Sequence, residues 1–213
     1  MRTLEHEIVY RGEAAVNKLG AAPIIVCGAG AIGSNLVDNL VRQGFKSITI
    51  IDDDRIEDHN RHTQVWQRRD VGSLKVAALK SHAFNSMGVS IEDKKVRLTS
   101  ESVEGLLKKG SLVVDGFDNH ASRKSVTDYC KANNIECLHI GLYQNYAEVI
   151  WNDNYLVPED AKAADVCEYP LARNVILLAI AVSTEVIIRY ILDGNKEQYT
   201  ITLKDFCISP KEE

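Results

Sequence analysis

Four short stretches of the sequence combine side-chain types and spacings that could do chemistry. In the first, the apolar run PIIVC leads into Gly28-Ala29-Gly30-Ala31-Ile32-Gly33, followed by a helical pattern. Glycines at this spacing permit a tight turn (Gly28), a close backbone approach to phosphate (Gly30) and close helix–strand packing (Gly33). The helix start beyond them offers free N–H groups to an anion. A purely structural turn is the plainer reading. In the second stretch, SITIID is followed by further acid, so a strand ends on Asp52, Asp53 and Asp54. Asp52 is placed to accept hydrogen bonds from ribose hydroxyls, a role that suits NAD and ATP equally. Asp53 and Asp54 are expected to supply solvated charge or to cap the next turn.

The third stretch, HNRHTQVWQRRDVGSLK, sets Asn60, Arg61, Gln64, Arg68 and Arg69 in a polar loop and Lys75 at a helix opening. Hydride transfer needs no such density of basic groups. A triphosphate does, because charge accumulates on it when its α-phosphate is attacked. In the fourth, VVDGFDNHASR, a strand ends in Asp115, then come Asp118 and Asn119, and Arg123 lies one turn into a helix. Carboxylates at strand ends of open α/β sheets face the ligand crevice. Asp118 could hold Mg²⁺, whose shell is one or two carboxylates completed by phosphate oxygens.

The order GAGAIG, IIDDD, N-x3-Q, GSLK and DGFDN-x3-R resembles the E1-like activating enzymes, the ThiF, MoeB and ubiquitin-activator group. The resemblance extends to the terminal YTITLKDF. It implies adenylylation of a carboxylate: a carboxylate oxygen attacks the α-phosphate of Mg·ATP and pyrophosphate leaves. By resemblance, Gly28, Gly30 and Gly33 border the nucleotide, Asp52 binds ribose, and Asn60 and Lys75 contact phosphates. Gln64 and Asn119 belong to the same nucleotide site, and Asp118 is the metal ligand. The implied carboxylate is the C-terminal glycine of a ubiquitin-like or sulfur-carrier protein, or that of a small cofactor precursor. A homodimer is expected. A non-catalytic subunit of the same fold and an NAD(P)-binding enzyme are the alternatives.

Three positions depart from the family pattern. Thr63 stands where the loop arginine belongs, leaving Arg61 or Arg68 to reach the phosphates. His6 aligns with an N-terminal arginine that crosses a dimer, with Arg2 and Arg11 as substitutes. The zinc-binding cysteine pairs are missing, so no structural zinc is expected. Cys167 matches the position of a thioester- or persulfide-forming cysteine in some members, although neighbouring Glu168 disfavours a thiolate.

These groups need a scaffold. Strand and helix patterns alternate through PIIVCG, AIGSNLVDNLVRQG, SITIID, a helix over 72–85, VSIEDKKVRL, SLVVDG, a helix over 120–132 and IECLHIG. Such alternation predicts an α/β, Rossmann-like, doubly wound and mostly parallel sheet. The charged VSIEDKKVRL belongs near a sheet edge. After Gly141, YAEVIW and EQYTITLKDFCI alternate as strands and predict an antiparallel C-terminal extension. One domain over 1–213 follows. The apolar run from Val175 to Leu192 contains Glu185 and Arg189, which favours a buried helix over a membrane span. A net charge of −5 argues against a nucleic-acid partner. The N-terminus lacks a signal-peptide pattern, and the five cysteines form no CxxC, so a reducing cytoplasm is expected.

Overall fold

The computed structural model describes residues 3–159 and 170–211. Its centre is β1 (Ile24–Cys27), paired in parallel with β2 (Ile48–Ile51) on one side and β4 (Leu112–Asp115) on the other. β3 (Glu92–Lys94) and β5 (Cys137–Tyr143) extend the parallel half outward. β6 (Tyr146–Trp151), β7 (Tyr199–Thr202) and β8 (Cys207–Pro210) continue from β5 as antiparallel strands. The sheet order is β3-β2-β1-β4-β5-β6-β7-β8, the mostly parallel sheet with an antiparallel extension expected from the sequence.

All four residues of β1 and of β4 are buried, as strands covered on both faces must be. One face carries α2 (Glu13–Ala21), α3 (Ala31–Arg42), α4 (Lys75–Met87) and α7 (Arg173–Asp193), joined in a single apolar core. The other carries α5 (Val103–Leu106) and α6 (His120–Asn133), which close a smaller core with Ile25, Cys27 and Val113. α7 is long and apolar enough to span a bilayer by composition alone. Instead, Val175, Ile176, Ala179, Ile180 and Ile187 are buried in the core on β6 and α3.

The chain leaves β1 through α3 toward β2 and β3, then crosses back to β4. That reversal of direction opens a crevice at the carboxyl ends of β1 and β4.

Several expectations need correction. VSIEDKKVRL pairs over only three residues, Glu92–Lys94, because it is the edge strand and half of it has no neighbour. EQYTITLKDFCI is two strands, broken at a turn where Phe206 takes a φ of 54°. α4 starts three residues later than read. The amino-terminal helices α1 (Glu5–Arg11) and α2 were not foreseen; α1 buries no residue and so shows no apolar period.

Candidate active site

The glycine turn follows β1. Gly28 takes a φ of 92°, the left-handed region that disfavours other residues, and its N–H donates to the Ile51 carbonyl at 2.8 Å. A Cβ on Gly33 would lie 1.8 Å from the Gly28 oxygen, so only hydrogen fits where α3 leans on the turn. Gly30 differs: its φ of −78° suits any residue, and a Cβ there would meet nothing within 4 Å. Open space faces the start of α3, whose N-cap has no side-chain acceptor. That cradle fits a phosphate, which needs both room and free N–H donors.

Asp52 closes the turn from β2. Its Oδ2 accepts from Ala29 N–H and its Oδ1 from Asp54 N–H, both at 2.7 Å. Burial raises its pKa and outweighs these two bonds and the nearby Lys75 charge. Each carboxylate oxygen keeps a lone pair for a ribose hydroxyl. Lys75 opens α4 and is buried; its Nζ meets Asp54 Oδ2 at 2.8 Å and its N–H donates to the Asp54 carbonyl. Asp54 is therefore the partner of Lys75, beyond the solvated cap expected of it. Asp53 faces Arg97 at 3.4 Å. The three aspartates bring ligand atoms within 4.8 Å of one another, and Lys75, Arg97 and two backbone N–H groups answer their charge.

The loop between β2 and α4 is fastened internally. Asn60 Oδ1 accepts from Glu57 N–H, and Asn60 Nδ2 faces His59. Arg61 is paired with Asp58 at 2.6 Å. Gln64 is buried and accepts from the Trp66 indole. Asn35 of α3 donates to Thr63 O and ties the loop to the glycine turn. Arg68 and Arg69 are exposed. Thus Asp52 and Lys75 converge beside the glycines, whereas Arg61 and Gln64 bond to Asp58 and Trp66 within the loop.

The turn after β4 abuts the glycine turn directly: Gly116 N–H donates to Cys27 O at 2.9 Å, and Phe117 lies against Gly28. Asp118 is exposed there. Asn119 is the N-cap of α6, its Oδ1 accepting from Ser122 N–H at 2.9 Å. Asp115 does not line the crevice, contrary to expectation. It is fully buried, with Oδ2 at 2.9 Å from His139 Nδ1 and 3.6 Å from Arg123. Arg123 is buried as well and donates to Tyr155 Oη and to the Ile140 carbonyl. Nothing in the sequence around Tyr155 signals this contact.

Arg11 is paired within its own chain, with Glu7 at 2.9 Å and Glu185 at 2.7 Å. His6 is exposed. Arg2 and Cys167 lie outside the described residues.

Comparison with known proteins gives the family. The model of the ThiF family matches residues 4–180. The chain belongs to the ThiF family. This ThiF-family chain is 37% identical over 120 residues to a sulfur carrier protein adenylyltransferase of Thermus thermophilus, covering 55% of this chain and 44% of the relative. Over 136 residues it is 29% identical to a SAMP-activating enzyme E1 of Haloferax volcanii, covering 62% and 50%. The chain thus spans half or less of these relatives' lengths. A crystal structure of E. coli MccB with MccA superposes with a TM-score of 0.82 at 17% identity, covering 99% of this chain and 71% of that one. MccB with ATP gives 0.78 at 18% identity, covering 97% and 69%. At these identities the likeness establishes the fold.

Proposed function

We propose that this protein adenylylates a carboxylate at the expense of ATP. The observation that carries the reading is the open cradle at Gly30, flanked by the buried Asp52 carboxylate and the buried Lys75 ammonium, in a chain of the ThiF family. The glycine turn and the first N–H groups of α3 receive phosphate oxygens. Asp52 accepts from the ribose hydroxyls. Lys75 exchanges Asp54 for the triphosphate and lowers the cost of charge as the substrate carboxylate attacks the α-phosphorus and pyrophosphate departs. Asp118 stands at the mouth of the same turn, where it would hold Mg²⁺; the ion neutralises phosphate charge when bound.

The relatives' names support a protein tail of the sulfur-carrier or ubiquitin-like class as the carboxylate; a small acid is the second substrate class. A homodimer in the cytoplasm completes the reading; the dimer alone draws support from Val9 and Tyr10, apolar and exposed on α1.

Thermal unfolding with Mg·ATP, with ATP plus chelator and with NAD⁺ tests it. A nucleotide at about a hundred times its Kd stabilises by about 2.7 kcal/mol, which raises Tm by roughly 5 to 11 °C in a chain of this size. A rise with ATP and none with NAD⁺ is expected. A rise with NAD⁺ alone would remove ATP from the site. Exchange of labelled pyrophosphate into ATP, with each carboxylate class added, then identifies the substrate. ATP binding without exchange until another protein is added would instead mark a non-catalytic subunit.

A further inference from the structure

Beneath the Asp118 turn lies a buried polar cluster that the adenylylation reading does not use. His139, at zero exposure in β5, places Nδ1 2.9 Å from Asp115 Oδ2 and Nε2 2.7 Å from Asn152 Oδ1. The amide of Asn152 is oriented by its Nδ2, which donates to the Thr127 carbonyl at 3.4 Å. Both ring nitrogens therefore lie within hydrogen-bond distance of a side-chain oxygen. The ring is stacked on Tyr155 at 3.7 Å, and Tyr155 Oη accepts from Arg123 at 2.8 Å. Carboxylate, guanidinium, imidazole and phenol thus form one buried hydrogen-bonded group. The thiols of Cys27 and Cys137 nearby stay neutral, pushed up by burial and then by Asp115 among other groups.

The cluster touches two segments at once. Asp115 Oδ1 accepts from Phe117 N–H at 3.1 Å, inside the turn that carries Asp118. Tyr155 belongs to the segment leaving β6. That segment is fastened to α6 by Lys131 on the Tyr155 carbonyl and by His120 on the Pro158 carbonyl. Asp118 in turn contributes to the raised pKa of Arg123, after burial and the opposing pull of Asp115 and Tyr155.

The geometry points to Asp115, Arg123, His139 and Tyr155 as positioning residues: they lock the 116–119 turn so that Asp118 meets the metal of a bound nucleotide, and they couple that turn to the segment beyond β6. The inference rests on the ATP reading above. Its test uses the full chain, with wild type, Tyr155→Phe and His139→Gln titrated with ATP in excess Mg²⁺ and in chelator. Loss of one such bond to a charged group weakens the Mg²⁺-dependent gain in ATP affinity by about five-fold or more, while chelated ATP binds as before. Variants that unfold at lower temperature yet keep the full Mg²⁺ gain would reduce the cluster to a structural role and overturn the inference. Hydrogen exchange of the Phe117 amide, which donates to Asp115, provides a readout free of ligand: faster exchange in Tyr155→Phe and His139→Gln is expected, and unchanged exchange overturns the lock on the turn. Failure of wild type to bind ATP at all would overturn the nucleotide reading, and Asp118's place in it, while leaving the exchange result to judge the cluster.

Discussion

Lys75 is buried up to its ammonium, and what that ammonium meets is the half-exposed carboxylate of Asp54. A buried cation without a partner is costly, so the pair stabilises the fold; because Asp54 lies largely in water, its contribution is about 1 kcal/mol or less. On the ATP reading proposed above, a triphosphate displaces that carboxylate. Asp54→Asn is therefore expected to tighten ATP binding by about five-fold, the equivalent of about 1 kcal/mol, at a similar cost in stability. Calorimetric titration measures the first and urea unfolding the second; weaker binding would mean that Asp54 holds Lys75 in its working pose. Asp118→Ala is expected to abolish Mg²⁺-dependent pyrophosphate exchange with Tm unchanged, since the side chain is exposed and its removal opens no cavity. Normal turnover in that variant would remove Asp118 from the metal.

At this scale the sequence exposed the glycines, Asp52, Lys75 and Asp118, because each stands at the end of a strongly patterned element. It misplaced Asp115. Strand-end position does not tell which way a side chain points, and here β4 turns it inward to His139. His139 itself, an imidazole flanked by apolar residues in IECLHIG, has to find hydrogen-bond partners inside. Tyr155 was invisible, because its partners come from α6 and β5, far away in sequence.

Among the elements, α3 offers a controlled comparison of two glycines three residues apart. Gly33→Ala would drive a methyl into the Gly28 oxygen, so α3 must lift from β1 at a cost of about 3 kcal/mol or more. Gly30→Ala meets empty space, with a φ open to alanine and a ψ of −149° just outside the extended region. It is expected to cost about 1 kcal/mol, lowering Tm by roughly 2 to 4 °C and far less than Gly33→Ala, yet to lose ATP affinity because the methyl occupies the phosphate's room. A Gly30→Ala protein that binds ATP normally would place the phosphates elsewhere. The tether of α1 is testable too. Glu185→Ala removes Arg11's strongest partner, and faster hydrogen exchange is expected in α1 with ATP affinity unchanged. A loss of ATP affinity there would reopen a phosphate role for Arg11. The helices that the sequence revealed are those with a buried stripe, such as α3 and α7; α1 is held by ion pairs and leaves no apolar period to read.

The molecule as a whole carries a charge balance with a defined acid limit. Burial opposes ionisation of Asp115, Asp38 and Glu185. Arg123 and His139 outweigh it at Asp115, His82 and Arg42 at Asp38, and Arg11 and Arg189 at Glu185, so all three carboxyls titrate below their usual range. A depressed folded-state pKa adds stability above the unfolded values, about 3.9 for Asp and 4.3 for Glu, and that stability is lost as pH falls through the lower folded values. Asp52 acts in the opposite sense, since burial raises it and the folded state takes up its proton first. Glu92, exposed and lowered by its bonds to Lys94 and Thr49, adds to the first group, so four carboxyls against one predict urea midpoints that hold from neutral pH to about 5 and fall steeply below about 4. A midpoint that rises on acidification below that point would contradict these assignments.

The reversal of winding at β1 separates what is fixed in this protein from what can be exchanged. The glycine-turn end of the crevice is made by strand order and by a helix that touches its own turn, so altering it means rewiring the sheet. Residues 155–158, just past β6, lie outside the parallel half and are sewn to α6 by a few side-chain bonds. That stitching can be rewritten while the glycine turn stays in place, as one handle accepts many blades.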